Sequence, residues 1–93
     1  MPAVVCTLEL FIPAAGSLKA KRQVVQGLAE RIRSRCAAAV AETDHQEAWQ
    51  RATLEAAMVG SSRAVLARQV ELLRRIADDC GEAEVTSFTV EYV

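Results

Sequence analysis

"AAAVAETDHQEAWQRATLEAAMV", residues 37–59, decides the fold, because it reads either as one long helix or as two strands joined by a turn. Its alanines and glutamates favour a helix. Its order favours strands. Residues 51–59 alternate, with Ala52, Leu54, Ala56 and Met58 on one face and Arg51, Thr53, Glu55, Ala57 and Val59 on the other. Residues 37–43 are small and β-branched, with Ala38 and Val40 as an inward pair. Between them, Asp44 is a residue type that fixes turns by bonding the backbone just ahead of it. The stretch predicts a β-hairpin.

Working outward, "AVVCTLELFI" at 3–12 also alternates: Val4, Cys6, Leu8, Leu10 and Ile12 face one way, Val5, Thr7, Glu9 and Phe11 the other. Pro13 and "AAGS" stop this strand, and Ser17 offers an N-cap to a helix over about 18–36. At 100° per residue, Leu18, Lys21, Val25, Leu28, Ala29, Ile32 and Cys36 fall on its apolar arc. The Lys21 stem is therefore expected across the sheet end, with its ammonium reaching out to water. A second helix starts at about 62 behind Ser61 or Ser62, with Val65, Leu66, Val70, Leu72, Leu73, Ile76 and Ala77 inward and Gly81 as terminator. Residues 84–93 close as a strand, with Phe88, Val90 and Tyr92 on one side.

The order is β-α-β-β-α-β. Two right-handed crossovers turn it into an α+β, ferredoxin-like fold: a four-stranded antiparallel sheet with both helices on one face. The first and third strands should be central. The predicted core holds Leu8, Leu10, Val25, Leu28, Ile32, Leu54, Met58, Leu66, Val70, Leu73 and Phe88. Ninety-three residues suit a single domain over 1–93.

Eleven basic and twelve acidic side chains nearly cancel, so only a local patch would attract nucleic acid. Cys6, Cys36 and Cys80 are odd in number and form no CxxC pair. With no signal peptide and no apolar run near the roughly 20 residues of a membrane span, the expectation is a cytoplasmic protein with reduced thiols and no membrane contact.

Two stretches carry a resemblance. "SLKAKRQVVQGLAERIRSR" and "VAETDHQEAWQRATLEAAMV" resemble the YlxP-like family of small bacterial proteins, with its S-L-K-x-K-R helix start and V-A-E-x-D-H-Q-x-x-W-Q-R-A hairpin. The resemblance runs nearly end to end. It implies a ferredoxin-like fold and a family of unknown function. The genes of such proteins often lie beside those of translation and ribosome-maturation factors, which implies work near RNA or the ribosome. Where the family has larger apolar residues in the second strand, this chain has Cys36, Ala38 and Thr43.

Three places are candidates for function. The hairpin gathers Asp44, His45, Gln46, Trp49 and Arg51, including the chain's one histidine and one tryptophan. A metal there would need His45 with Glu42, Asp44 or Glu47, but neighbours in sequence rarely converge on one ion. Neither metal nor cofactor is expected. The structural reading makes the loop a turn, with the Trp49 ring covering an end of the core. The functional one makes it a partner-binding loop on a rigid sheet.

The second candidate is "GSLKAKR", where Ser17, Lys19, Lys21, Arg22 and, farther along, Arg33 offer an anion or RNA contact at a helix start. The second helix is expected to neutralise its own charges through Arg74–Asp78, Arg75–Asp79 and Glu71.

The open sheet face is the third. Only Phe11 is aromatic there, and Glu9 and Glu55 repel phosphate, so base stacking on the sheet is disfavoured. That face suits a homodimer instead. Enzymes of this topology include acylphosphatases, which rely on an asparagine. This chain has none, and no nucleophile–base pair is legible, so no catalytic role is expected.

The resulting expectation is a non-catalytic protein docking on structured RNA or a ribosomal particle. The alternative is a protein-interaction module acting as a homodimer, through the sheet face or through the Asp44–Trp49 hairpin.

Overall fold

A computed structural model describes residues 2–93. The elements run β1 (Ala3–Phe11), α1 (Leu18–Cys36), β2 (Ala39–Asp44), β3 (Arg51–Val59), α2 (Arg63–Asp78) and β4 (Glu84–Tyr92). The sheet order is β2-β3-β1-β4, and every neighbouring pair is antiparallel. Residues 37–59 are thus a hairpin, and the ferredoxin-like fold holds with β1 and β3 central.

The alternation of β1 produces its packing. Val4, Cys6, Leu8 and Leu10 are buried against the helices, and the residues between them are half-buried on the open face. From the helical layer, Val25, Leu28, Ala29 and Ile32 of α1 meet Leu66, Val70, Leu73, Ile76 and Ala77 of α2 over β3's Leu54, Ala56 and Met58. Phe88 is only partly buried, because β4 is an edge strand. The Arg74 guanidinium lies 4.2 Å from its ring centroid and takes the place of further apolar cover.

Ser17 caps α1 by accepting the Ala20 N–H at 3.0 Å, and Ser62 caps α2 by accepting that of Val65 at 3.2 Å. The far ends differ from the sequence reading. Helix α1 stops because Ala37 turns left-handed (φ 52°, ψ 46°), so β2 begins at Ala39 rather than 37. Helix α2 ends with Asp79 right-handed, its N–H donating to the Arg75 carbonyl at 2.9 Å, and no glycine has a positive φ. Gly81 is therefore not the left-handed terminator its position suggested. Of the charge pairs expected along α2, Arg74 with Glu71 forms, at 3.6 Å, and Arg74–Asp78 and Arg75–Asp79 are not among the ion pairs of the described residues.

Cys6, Cys36 and Cys80 are free and buried. Burial pushes the Cys6 thiol up, the Arg74 charge pulls it partly back, and Cys36 raises it further. Burial likewise raises Cys36, opposed by Arg35. Both are packing residues.

Gly27 lies exposed inside α1, and a Cβ built there meets nothing within 4 Å. Gly27→Ala should therefore stabilise the protein by about 0.5–1 kcal/mol, because alanine loses less backbone freedom in a helix. Thermal melting should show a rise of about 4 °C. A fall would mean that this side of α1 is covered.

Candidate functional site

The S-L-K-A-K-R and E-T-D-H-Q stretches, 20 residues or more apart in sequence, meet at one end of the fold. Their junction is Lys21. Its side chain is 0% exposed, the only charged group so deeply buried among the described residues. The ammonium donates to Glu42 Oε2 at 2.7 Å, to the His45 carbonyl at 3.1 Å and to the Gln46 carbonyl at 3.3 Å. An ammonium has three protons, so its donor capacity is filled. The expectation that this ammonium reaches out to water is corrected here: it turns inward, because three acceptors wait under the hairpin.

Glu42 is there for a reason of strand geometry. Val40 pairs with Ala56 and Glu42 with Leu54, so the carboxylate shares the inner face with the core. Its side chain is 20% exposed, enough to keep one edge in water. A bulge between Glu42 and Asp44 then breaks the register, and the chain turns through residues 45–50.

His45 adopts φ 60°, a left-handed conformation that histidine tolerates better than most residues. Its N–H donates to Asp44 Oδ1 at 2.7 Å, and its carbonyl also accepts the Ala48 N–H at 3.1 Å. The Gln46 amide donates back to the Glu42 carbonyl at 2.9 Å. Gln50 ties the hairpin to the loop before α1: its carbonyl accepts the Ile12 N–H at 2.8 Å, and its side chain donates to the Pro13 carbonyl at 2.9 Å.

This network places the candidate residues in two classes. Ser17, Lys21, Asp44 and Gln46 are occupied by structural bonds, as is the carbonyl of His45. Arg33 is partly occupied, spanning Glu30 Oε1 at 2.7 Å and the Val40 carbonyl at 2.8 Å. Lys19, Arg22, Arg51 and Trp49 remain exposed. Trp49 is 57% exposed, so it does not cover the core as the sequence reading supposed. The imidazole of His45 stands 3.9 Å from Asp44, and no trio of His, Cys, Asp or Glu side chains is gathered to hold a metal among the described residues.

Glu42 and Gln50 are the functional-end residues that sequence reasoning missed as structural partners. For Glu42 a signal existed. It lies two residues past the inward Val40, and Lys21 lies on the inward arc of α1, so opposite charges were headed for one interior.

The open face carries Glu9, Glu55, Glu84 and Glu91 with Arg51 as its cation. Thr53 lies there too, yet is only 5% exposed, and its hydroxyl donates to Glu9. Beside it a shallow depression of about 330 Å³ is lined by Val5, Ala39, Ala41, Thr43, Glu55 and Ala57. Among the described residues, no helix is long and apolar enough to cross a membrane.

Known proteins agree with this architecture. The chain is 31% identical over 84 residues to the uncharacterised protein YlxP of Bacillus subtilis (strain 168), covering 90% of this chain and 91% of that one. Among solved structures it is similar to the de novo designed protein Foldit4 (TM-score 0.57, 11% identity, 100% and 97% of the two chains covered). It is also similar to Rv0793 of Mycobacterium tuberculosis (TM-score 0.56, 14% identity, 100% and 93% covered). At such identities these two structures speak for the fold alone. Residues 3–90 match the family model described as protein of unknown function DUF503, and with YlxP as a relative over nearly its whole length, the chain belongs to that family.

Proposed function

We propose that the protein is a non-catalytic binding protein that docks on structured RNA or a ribosomal particle through the outer flank of α1 and the loop before it. One observation carries this reading. Lys19 and Arg22 stand exposed on the first turns of α1, with no acidic residue in the first turn and no ion-pair partner among the described residues. Two uncommitted cations at the positive end of a helix suit a phosphate backbone. Arg33 extends the same flank with what its own bonds leave free. Lys21, buried, builds the platform and makes no contact.

The test is affinity for ribosomal RNA at rising salt. Two to three cations should give a log–log slope of roughly −2. Lys19→Glu with Arg22→Glu should reduce affinity at least about tenfold by like-charge repulsion, and leave melting unchanged. Salt-independent binding, or binding unaffected by the double substitution, would refute the reading.

A second reading is a homodimer through the open sheet face, favoured by the apolar depression at Val5, Ala39, Ala41 and Ala57. Such a dimer gathers Glu9, Glu55, Glu84 and Glu91 of both copies on one interface. Added salt would screen them and tighten the dimer, opposite to its effect on RNA. Light scattering across a salt series separates the two.

A further inference from the structure

Trp49 is the largest side chain on the surface of the hairpin and is not needed by the core. It is 57% exposed, while Ala48 and Gln50 on either side are hydrogen-bonded. The Ala48 N–H is held by the His45 carbonyl, which also accepts from the Lys21 ammonium. Gln50 is held at two points, by Ile12 and Pro13. The ring therefore stands on a braced loop. A flat apolar group presented this way loses little conformational freedom on binding.

The same bonds put this loop against the segment that leads into Lys19 and Arg22. Gln50 grips Pro13, the beginning of the β1–α1 loop, and the Lys21 ammonium grips the hairpin from the first turns of α1. Arg51 follows Trp49 by two residues and is exposed. An exposed indole and cations from two elements thus lie at one end of the fold, Lys19 and Arg22 on the helical layer and Arg51 on the open sheet face. Glu42 adds little negative charge there, because Lys21 neutralises it. Asp44 and Glu47 on the loop, Glu82 beside the start of α1 and Glu84 across Phe11 from Arg51 remain as carboxylates, and they disfavour a phosphate lying directly along the loop or the sheet edge.

We propose that Trp49 is a stacking platform for an unpaired RNA base, with Lys19 and Arg22 on the helix side and Arg51 on the sheet side of that end contacting the flanking phosphates. This rests on the RNA reading above and goes further by assigning the class of ligand: single-stranded or looped-out RNA rather than a continuous duplex. Duplex bases present no free face to a ring, whereas an unpaired base does. The base meets the indole without a charge of its own, which suits a loop that also holds Asp44 and Glu47.

The chain has a single tryptophan, so fluorescence excited beyond the absorption of Tyr92 reports on this ring alone. The probes are a labelled RNA hairpin with an unpaired loop and a fully paired duplex of the same length. The wild type should bind the looped RNA more tightly, and its fluorescence should be quenched by it. Trp49→Ala should weaken that binding about 10-fold at fixed salt, with the salt slope and the melting temperature unchanged. Trp49→Phe should recover part of the affinity. If wild type binds neither RNA at low salt, the RNA reading fails and the stacking role with it. If it binds with the expected salt slope, but unquenched and unaffected by Trp49→Ala, the phosphate contact stands and the stacking role is overturned.

Discussion

Lys21→Ala should lower stability by about 3–5 kcal/mol, the range for removing one partner of a buried ion pair. Three losses combine. The ammonium no longer neutralises Glu42, whose side chain is 80% removed from water by the same packing that leaves it 20% exposed. The carbonyls of His45 and Gln46 lose a donor. The aliphatic stem, fully buried, leaves a gap beside α1. A protein of this size should melt about 12–25 °C lower. Lys21→Met separates packing from polar causes, because it keeps an apolar stem and removes the charge with its three donors. It should recover only the packing part of the loss, about 2 kcal/mol at ~0.8 kcal/mol per buried CH2, because Glu42 and the two carbonyls still lose their donor. An alanine variant that melts like wild type would mean that the ammonium lies in water.

Leu8→Ala should cost about 3 kcal/mol, since a fully buried leucine loses its transfer energy and leaves a cavity. Leu8 is the middle of β1, paired with Leu54 on one side and Phe88 on the other, and it is 0% exposed. Two central strands and an edge strand close around it, so the gap has little room to collapse. A sharper comparison uses the neighbouring position. Leu8→Asp should prevent folding, whereas Thr7→Asp, pointing to the open face, should leave a folded protein. One residue of register separates the two outcomes. Equal damage from both, seen by circular dichroism, would contradict the sheet's orientation.

The fold was legible because burial follows simple periods here. In β1 and β3 the inward residues are the apolar ones, and both helices carry one apolar arc. What escaped lay where local chemistry outweighs pattern. The start of β2 depends on Ala37 taking a left-handed conformation that its side chain does not announce. The end of α2 depends on Asp79, and the glycine two residues later looked like the better signal.

At the candidate site, the arc position of Lys21 was readable but the direction of its ammonium was not. That direction follows from a long-range acceptor set, supplied by Glu42 and two carbonyls more than twenty residues away. The exposure of Trp49 was hidden for a similar reason. A tryptophan between strands ordinarily packs, and only the bonds of Gln50 to Ile12 and Pro13 show that this corner closes without it. The motif thus divides by role: Lys21 joins helix to hairpin, and Lys19 and Arg22 face outward.

That division is tested most directly by sedimenting the tagged protein with ribosomal subunits from cell extract. Wild type and the Lys19→Glu, Arg22→Glu variant are compared at low salt. Wild type should travel with a subunit, and the variant should stay at the top of the gradient while melting at the wild-type temperature. Wild type remaining at the top would contradict the account.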